Sequence, residues 1–281
     1  MRSCVVIPTY NEKENIEEVI RRVLKNDVDL LIVDDSSPDG TGDIVIELSK
    51  EYNGRLSLET RKEKLGLGKA YIYGFSKCLE KKYDIICQMD ADLSHNPDVL
   101  GELIQPISEA RADLVIGSRY VQGGQIPKWS LIRRLLSRGG NLYTRIMLNI
   151  KTRDATAGYR AYNAKILKKM LDNGISSEGY GFQIEMTYTA SKFGATIIEV
   201  PISFAEREKG VSKMGGIIIV EALKNVTIWS LRDRLWKPVS KLFTHRANIK
   251  VDISKSNDDI DLYNSNDGEV NSHIIDTENR K

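Results

Sequence analysis

The sequence predicts an α/β protein with a mostly parallel central sheet flanked by helices. Two observations support this fold class. Short apolar runs rich in branched residues alternate along the first half of the chain with stretches whose apolar residues recur at helical spacing. Most of the apolar runs end in polar, turn-forming residues. Strands that alternate with helices in this way form parallel sheets with helices on both faces.

A βαβ unit opens the chain. It consists of a strand at residues 4–7, a helix around residues 16–24 and a strand at residues 30–33. The helix places its apolar residues on one face, as a helix packed on a sheet requires. The same alternation continues to residue 117. We predict, in order, a helix at 43–51, a strand at 56–59, a helix at 68–82, a strand at 84–89, a helix at 97–107 and a strand at 114–117.

Beyond residue 120 the alternation weakens. We predict helices at 131–148, 182–193 and 216–236 and a strand at 196–201, and we expect this half to supply one side of a cleft. One domain would therefore span residues 1–236. Residues 237–281 have few large apolar side chains, and from residue 247 onward eight acids accompany four bases. This composition predicts an acidic, disordered C-terminal tail.

The composition is that of a soluble globular protein, with 41% hydrophobic and 28% charged residues. No apolar run is long enough to span a bilayer, and the N-terminus lacks the features of a signal peptide. We therefore expect a cytoplasmic protein. Cys4, Cys78 and Cys87 have no metal-type spacing, so buried reduced thiols are expected.

Four polar segments follow predicted strands. In open α/β sheets, ligands bind beyond the carboxyl ends of the strands, so we expect these loops to converge on one rim. The segments are residues 8–12, 34–40, 90–95 and 117–120.

The third of these loops contains Asp90 and Asp92. Two carboxylates at this spacing suit Mg²⁺ or Mn²⁺, which take further ligands from water and substrate phosphates. The alternative interpretation is an acidic turn before the helix that starts near Pro97. In the second loop, a carboxylate of Asp34 or Asp35 is placed to accept hydrogen bonds from a ribose or a base, although the segment also has good turn chemistry.

Residues 119–160 are strongly basic, with nine Lys or Arg residues against one acid, Asp154. This pattern indicates a surface for anions. A solvated helix face or a patch for membrane lipid is the alternative. Arg133 and Ser137 are four residues apart on the predicted helix, so they share a face and are placed to bind one phosphate.

The motifs together resemble those of the family-two inverting glycosyltransferases, and most of all those of the dolichyl-phosphate mannose synthases among them. The resemblance covers roughly residues 4–235, with the motifs in the same order. They are PTYNE at 8–12, DDSSPDGT at 34–41, LGLG at 65–68, DADLSH at 90–95, GSRY at 117–120, SRG at 137–139, GYR at 158–160 and VPISF at 200–204.

This resemblance implies a nucleotide-diphospho-sugar transferase (Rossmann-like) fold, GDP-mannose as donor and a polyprenyl or dolichyl phosphate as acceptor. It also implies roles for individual residues. The residues expected to bind the donor nucleotide are Pro8, Tyr10, Glu12, Asp35 and Ala91. Those expected to bind the acceptor phosphate are Arg119, Arg133, Ser137, Arg207 and Lys213. Asp90 and Asp92 would bind the metal, and the residues expected to act in catalysis are Asp92, Arg119 and Arg207. Some relatives have Gln as a metal ligand where this chain has Ser94, which leaves the third ligand open.

A lipid phosphate acceptor agrees with the residue chemistry. A phosphate monoester is already anionic at neutral pH, so the reaction needs no general base. Cations must instead hold two anions together. The alternatives are the same reaction with another nucleotide sugar, such as UDP-glucose, and a catalytically idle nucleotide-sugar-binding scaffold at the membrane surface.

A lipid acceptor implies peripheral association with the cytoplasmic membrane face, with a small membrane-anchored protein as a further candidate partner and no nucleic acid. An interfacial helix is one interpretation of the C-terminal helical pattern, and core packing is the other. Its apolar residues are Leu223, Ile228, Leu231, Leu235 and Trp236. Elsewhere, His95 is expected to stabilise its loop by a hydrogen bond, and Glu185 to support Arg160 or Asp154.

Overall fold

The computed structural model describes residues 1–127, 129–177, 179–204 and 221–234. They contain one seven-stranded sheet with the strand order β3-β2-β1-β4-β6-β5-β7. Only β6 runs antiparallel to its neighbours, β4 and β5, so the predicted α/β class with a mostly parallel sheet is confirmed. The strands are β1 (Ser3–Thr9), β2 (Asp29–Asp34), β3 (Leu56–Thr60), β4 (Ile85–Gln88), β5 (Leu114–Ser118), β6 (Arg160–Asn163) and β7 (Ile197–Pro201).

Seven α-helices connect and flank the strands in the described residues up to 204. They are α1 (Ile16–Val23), α2 (Thr41–Ser49), α3 (Leu67–Glu80), α4 (Leu100–Ser108), α5 (Leu131–Leu148), α6 (Ala164–Asp172) and α7 (Gly179–Lys192). A short 3₁₀ turn, Pro97–Val99, precedes α4. Residues 221–234 are also helical, in agreement with the predicted helix at 216–236 over the part that is described. The predicted tail, 237–281, lies outside the described residues.

The sheet separates two apolar layers because successive strand residues point to opposite faces. Val5 and Ile7 of β1 pack in the layer covered by α1, α2 and α4. Cys4 and Val6 pack in the opposite layer, where α3, α6 and α7 contribute large side chains such as Phe75. Cys4, Cys78 and Cys87 are buried and unpaired, which confirms the prediction of free thiols.

A third cluster joins α5, α7 and the helical segment 221–234. Trp229 stacks on Tyr188 with ring centroids 6.1 Å apart. Thr227 shares a 2.7 Å hydrogen bond with Tyr143 of α5. These contacts hold the helical segment 221–234 against α5 and α7. None of the described helices has the length and hydropathy to span a membrane.

The structure adds β6 and α6, which the sequence patterns do not predict. Arg160 begins β6 and is fully buried, where its side chain donates to the carbonyls of Ala157 (2.7 Å) and Ala155 (2.8 Å). The strand lies between β4 and β5 and reverses direction. Its amino end therefore lies at the edge of the sheet where the parallel strands have their carboxyl ends.

Candidate active site

The loops after β1 and β2 are joined by hydrogen bonds from three consecutive backbone N–H groups. Asn11 donates to Ser37 Oγ (3.0 Å), Glu12 to Thr41 Oγ1 (3.1 Å) and Lys13 to Asp39 Oδ2 (3.1 Å). The predicted donor-binding residues Tyr10 and Glu12 thus lie on a loop held by these hydrogen bonds, and Pro8 lies in β1 just before it. This loop lies beside the loop after β2, as we expect for loops that follow neighbouring parallel strands.

Asp34 organises this junction. Its carboxylate accepts hydrogen bonds from Thr9 Oγ1 (2.7 Å) and from both the backbone N–H (2.8 Å) and the hydroxyl (2.6 Å) of Ser37. The side chain is buried. The Asp34 carboxylate therefore stabilises the two loops by these hydrogen bonds.

Asp35 forms a bidentate ion pair with Arg61. The Arg61 guanidinium donates to Oδ1 at 2.6 Å and to Oδ2 at 2.7 Å, and both side chains are largely buried. Bidentate pairs of this kind fix the orientation of the carboxylate. Arg61 follows β3 and belongs to none of the sequence motifs, so no sequence pattern singles it out. The nucleotide-binding role of Asp35 stays a prediction.

Asp90 follows β4 and is held from two sides. Tyr71 of α3 donates its hydroxyl to Asp90 Oδ1 at 2.8 Å, and the backbone N–H of Asp90 donates to His95 Nδ1 at 3.2 Å. Burial, together with the charge of Asp90, raises the pKa of Tyr71, so this phenol stays protonated as a donor. His95 stabilises the loop by a hydrogen bond, as the sequence predicts.

Asp92 is buried and is positioned by Ser94. The Ser94 hydroxyl donates to Asp92 Oδ1 at 2.6 Å, and the Ser94 backbone N–H donates to the same oxygen at 3.1 Å. Leu93, between them, has a positive φ of 59°. The tight turn brings Ser94 back onto Asp92, so in this structure the Ser94 hydroxyl supports a carboxylate.

Asp90 and Asp92 have the donor chemistry for a hard divalent cation. Within the described part of the chain, no group of three or more His, Cys, Asp or Glu side chains is arranged to hold a metal ion. A pair of carboxylates nevertheless fits Mg²⁺ or Mn²⁺, because these ions commonly take one or two protein carboxylates and complete their shell with substrate phosphates and water. Ala91, between the two acids, is buried.

Arg119 follows β5 and is buried against Asp154. Its Nε and Nη2 atoms each donate to one oxygen of that carboxylate at 2.7 Å, and Nη2 also donates to Thr156 Oγ1 at 2.8 Å. Burial favours the neutral acid, but the charge and hydrogen bonds of Arg119 outweigh it and hold the pKa of Asp154 below its usual value. Arg119, a predicted ligand of the acceptor phosphate, thus has the buried carboxylate of Asp154 as its counter-ion.

Aromatic rings connect the loop at residues 90–95 to the predicted acceptor residues. His95 stacks on Tyr159 (5.1 Å between centroids) and contacts Phe204 edge-on (5.6 Å). Phe204 in turn contacts Trp129 at 5.8 Å. The Arg119 guanidinium lies 5.4 Å from the centroid of Trp129 and 5.5 Å from that of Phe204. The acidic loop and Arg119 therefore lie on two sides of one aromatic cluster.

Trp129 also contacts Arg133 of α5. The guanidinium carbon of Arg133 lies 3.9 Å from the centre of the indole ring, a close cation–π contact. One turn further along α5, Ser137 accepts a hydrogen bond from Tyr120 at 2.6 Å. The structure therefore places Arg119, Arg133 and Ser137 around Trp129 and Tyr120, two aromatic residues that the sequence analysis did not select.

The basic segment at 119–160 is only partly a surface for anions. Arg160 is buried among backbone carbonyls, and Arg134 donates to the carbonyls of Ile126 (2.7 Å) and Pro127 (3.2 Å).

Glu185 does not support Arg160 or Asp154, so that prediction is wrong. Its carboxylate accepts hydrogen bonds from the backbone N–H groups of Ser176 (3.1 Å) and Ser177 (2.7 Å). Arg207 and Lys213, both predicted acceptor ligands, lie outside the described residues.

Gly158 lies just before β6, next to Asp90 and His95. A Cβ atom at this position would lie 3.4 Å from Asp90 Oδ2 and 3.4 Å from His95 Cε1, which is ordinary van der Waals contact. The GYR motif therefore borders the loop that carries the predicted metal ligands, and its tyrosine, Tyr159, stacks on His95.

Comparison with known proteins identifies the family to which this chain is similar. The family model described as Glycosyl transferase family 2 matches residues 4–171. A polyprenol monophosphomannose synthase of Mycolicibacterium smegmatis is 45% identical over 236 residues, which cover 83% of this chain and 89% of that protein. An undecaprenyl-phosphate mannosyltransferase of Micrococcus luteus is 47% identical over 237 residues, which cover 83% of this chain and 96% of that protein.

Solved structures share the fold. The mannosyltransferase PcManGT from Pyrobaculum calidifontis, in complex with GDP-Man and Mn²⁺, aligns with a TM-score of 0.56 and 19% identity over 83% of this chain and 64% of that chain. S. aureus TarS in complex with UDP aligns with a TM-score of 0.51 and 19% identity over 81% of this chain and 65% of that chain. The predicted nucleotide-diphospho-sugar transferase fold is therefore confirmed.

Proposed function

This chain belongs to Glycosyl transferase family 2, and we propose that it is an inverting mannosyltransferase that moves mannose from GDP-mannose to a polyprenyl phosphate such as undecaprenyl or dolichyl phosphate. Relatives named for mannose transfer to polyprenol or undecaprenyl phosphate, at 45% and 47% identity, support the acceptor and the sugar. The resemblance of the sequence motifs to those of the dolichyl-phosphate mannose synthases supports GDP-mannose as the donor.

The observation that carries this proposal is the proximity of the acidic loop to a cationic aromatic cluster. The backbone N–H of Asp90 donates to His95, and the His95 ring contacts Phe204. Phe204 contacts Trp129, and the Arg119 guanidinium lies 5.4 Å from the centre of the Trp129 ring. A reaction between two anions needs cationic groups to bring them together. A paired-carboxylate loop beside buried arginine meets this requirement, whereas a nucleotide-sugar-binding scaffold has no use for it.

On the donor side, Asp90 and Asp92 would hold Mg²⁺ or Mn²⁺, which when bound stabilises charge on the leaving diphosphate. Tyr71 and Ser94 fix the two carboxylates by hydrogen bonds, so the acids are oriented before any ligand arrives. Pro8, Tyr10, Glu12, Asp35 and Ala91 line the loops that would receive the nucleotide. Arg61 limits the rotation of Asp35, which leaves its carboxylate in one orientation.

On the acceptor side, Arg119, Arg133 and Ser137 would bind the lipid phosphate, with Arg207 and Lys213 contributing from outside the described residues. An oxygen of this phosphate forms a bond to the anomeric carbon as the bond from that carbon to the diphosphate oxygen breaks. The single displacement inverts the anomeric configuration. No side chain has to remove a proton, because the phosphate is already anionic.

The lipid acceptor places the reaction at a membrane surface. We therefore propose that the protein associates peripherally with the cytoplasmic membrane face. A small membrane-anchored protein remains a candidate partner for this association.

A donor screen tests the proposed function. Purified protein is incubated with undecaprenyl phosphate and labelled GDP-mannose, GDP-glucose, UDP-glucose or UDP-galactose, with Mg²⁺, with Mn²⁺ or with chelator. We expect label in the lipid phase with GDP-mannose and a divalent ion. Transfer from UDP-glucose instead would replace the donor, and no transfer from any donor would leave the idle scaffold as the function.

A further inference from the structure

Helix α5 presents a wide apolar face to solvent. Leu131, Leu135, Leu142 and Ile146 are separated by four, seven and four residues, so they lie along one side of the helix. Ile132 and Leu136 widen this side. All six side chains are between 54% and 75% exposed. Isolated exposed leucines are ordinary on a protein surface, but a contiguous set of this size marks an interaction site.

The protein-facing side of α5 is partly polar. It carries Asn141 and Thr144, which are buried, and Asn141 donates to Thr156 at 3.2 Å and accepts from the Ala155 N–H at 2.9 Å. Near the end of the helix Leu148 packs in the third apolar cluster, whereas the six exposed leucines and isoleucines point away from the protein. Core packing therefore does not explain why these positions are leucine and isoleucine.

Charge distinguishes among the possible occupants of this face. The helix contains four arginines and no acidic residue. Arg138 is exposed, and the other three are partly buried. Two copies packed face to face would bring these arginines together without a carboxylate on α5 to balance them. An anionic bilayer surface offers both an apolar layer for the leucines and phosphates for the arginines.

We infer that the exposed face of α5 is the surface by which this protein lies on an anionic lipid bilayer. The inference deepens the proposed function, on which its lipid partner rests. It also gives the acceptor site a position, because Arg133 and Ser137 lie on the same helix as the apolar face. A phosphate at the headgroup level would meet these residues without the lipid tail leaving the membrane.

The C-terminal helical segment, which the sequence analysis considered as an interfacial helix, contributes less. Of its described candidates, Ile228 and Leu231 are about half exposed and Leu223 is partly buried, while Leu235 and Trp236 lie outside the described residues. Its contacts with α5, from Thr227 to Tyr143 and from Ser230 to Met147, make it a support for that helix.

Vesicle co-sedimentation of the full chain tests this inference. The variant carries Leu135→Gln and Leu142→Gln, since glutamine keeps helix propensity and both side chains are already exposed. The matched control is Ile46→Gln on α2, because Ile46 is 53% exposed and Leu142 is 54% exposed. Circular dichroism and the midpoint of thermal unfolding check that all three proteins are folded alike.

We expect wild type and Ile46→Gln to bind vesicles of phosphatidylcholine with phosphatidylglycerol, and the double variant to bind about tenfold more weakly. Arg138→Gln should weaken binding to these vesicles about fivefold and have little effect with phosphatidylcholine alone. Equal binding of the double variant and wild type would overturn the inference. A concentration-dependent dimer that the double variant abolishes, with vesicle binding unchanged, would assign the face to a second copy instead.

The vesicles contain no donor and no acceptor, so this result is independent of catalysis. Transfer to a short-chain, water-soluble prenyl phosphate is measured separately. Loss of vesicle binding with transfer to the soluble acceptor retained supports both proposals. Intact, leucine-dependent vesicle binding without transfer to any acceptor would overturn the proposed function alone.

Discussion

Arg119 and Asp154 form a buried bidentate ion pair, with both nitrogen–oxygen distances at 2.7 Å. Asp154 is the single acid of the basic segment 119–160, and its own backbone N–H is held by Glu199 at 2.9 Å. The pair fixes the guanidinium of a predicted phosphate ligand beside Trp129 before any substrate binds. Because Asp154 is fully buried and Arg119 is largely buried, each charge depends on the other for its stability in the fold.

Removing Asp154 should therefore destabilise the protein. We expect Asp154→Ala to lower the free energy of unfolding in urea by about 3–5 kcal/mol, because it leaves the Arg119 charge buried without its partner. Asp172→Ala is the control, since Asp172 pairs with Lys168 at 2.8 Å but both side chains are exposed. Exposed pairs contribute little, so the control should match wild type. Equal stability of both variants would contradict the account of the pair.

The same pair predicts a dependence of stability on pH. Because the pKa of Asp154 is lowered in the folded protein, its contribution is fully present above the unfolded-state pKa of about 3.9 and is lost as the pH falls through the lower folded-state pKa. Urea unfolding of wild type and Asp154→Ala from neutral to acid pH measures this contribution. The stability difference between them should be constant above about pH 5 and narrow below about pH 4. A difference that grows on acidification would have the wrong sign.

Gly74 of α3 is expected to tolerate no larger residue. A Cβ atom there would lie 2.4 Å from Val6 Cγ1 and 3.0 Å from Val33 Cγ2, so the helix approaches the sheet too closely for a methyl group. We expect Gly74→Ala to cost about 1–3 kcal/mol by overpacking. At Gly101 of α4 an added Cβ meets nothing within 4 Å, so Gly101→Ala should be neutral or stabilising by up to about 1 kcal/mol. Thermal or urea unfolding of the two variants would separate overpacking from helix propensity.

Arg133 should contribute to acceptor binding and not to donor binding. We expect Arg133→Gln to raise the KM for a water-soluble prenyl phosphate about tenfold or more, since a charge-assisted contact to phosphate is lost. The KM for GDP-mannose should not change. Arg111→Gln serves as control, because Arg111 precedes β5 at the opposite edge of the sheet and pairs with Glu109. An increase confined to the donor KM would place Arg133 on the wrong side of the site.

Local signals in the sequence account for much of the fold. Helix α5 begins and ends where the pattern predicts, because Ser130 caps its N-terminus by accepting from the Arg133 N–H and Asn149 ends it with a left-handed conformation. Strand β6 was missed because its four residues contain no apolar run. Its burial comes from β4 and β5 on either side, which only the tertiary structure supplies.

The candidate site, too, is only partly predictable from the sequence. The loops at the carboxyl ends of parallel strands are predictable, since topology alone brings Asp34 and Asp90 to one edge. The partners of the acids are not predictable. Arg61 lies 26 residues from Asp35, and Asp154 lies 35 residues from Arg119, so no local spacing links either pair. The ion pairs that surround Asp35 and Arg119 are therefore set by the three-dimensional packing of the chain.

We propose that the carboxylate of Asp92 serves metal-assisted mannose transfer. Asn at position 92 retains an oxygen to accept the Ser94 hydrogen bond, so Asp92→Asn should fold normally. The control is Asp98→Asn, whose carboxylate pairs with Arg22 at 3.1 Å on the exposed surface.

The most direct test is therefore the rate at which labelled mannose passes from GDP-mannose to undecaprenyl phosphate in Mn²⁺, measured for wild type, Asp92→Asn and Asp98→Asn. We expect wild type and Asp98→Asn to transfer mannose at similar rates and Asp92→Asn to lose at least about a hundredfold in kcat/KM. Transfer by Asp92→Asn at the wild-type rate, or by wild type at an undiminished rate in excess chelator, would contradict the claim.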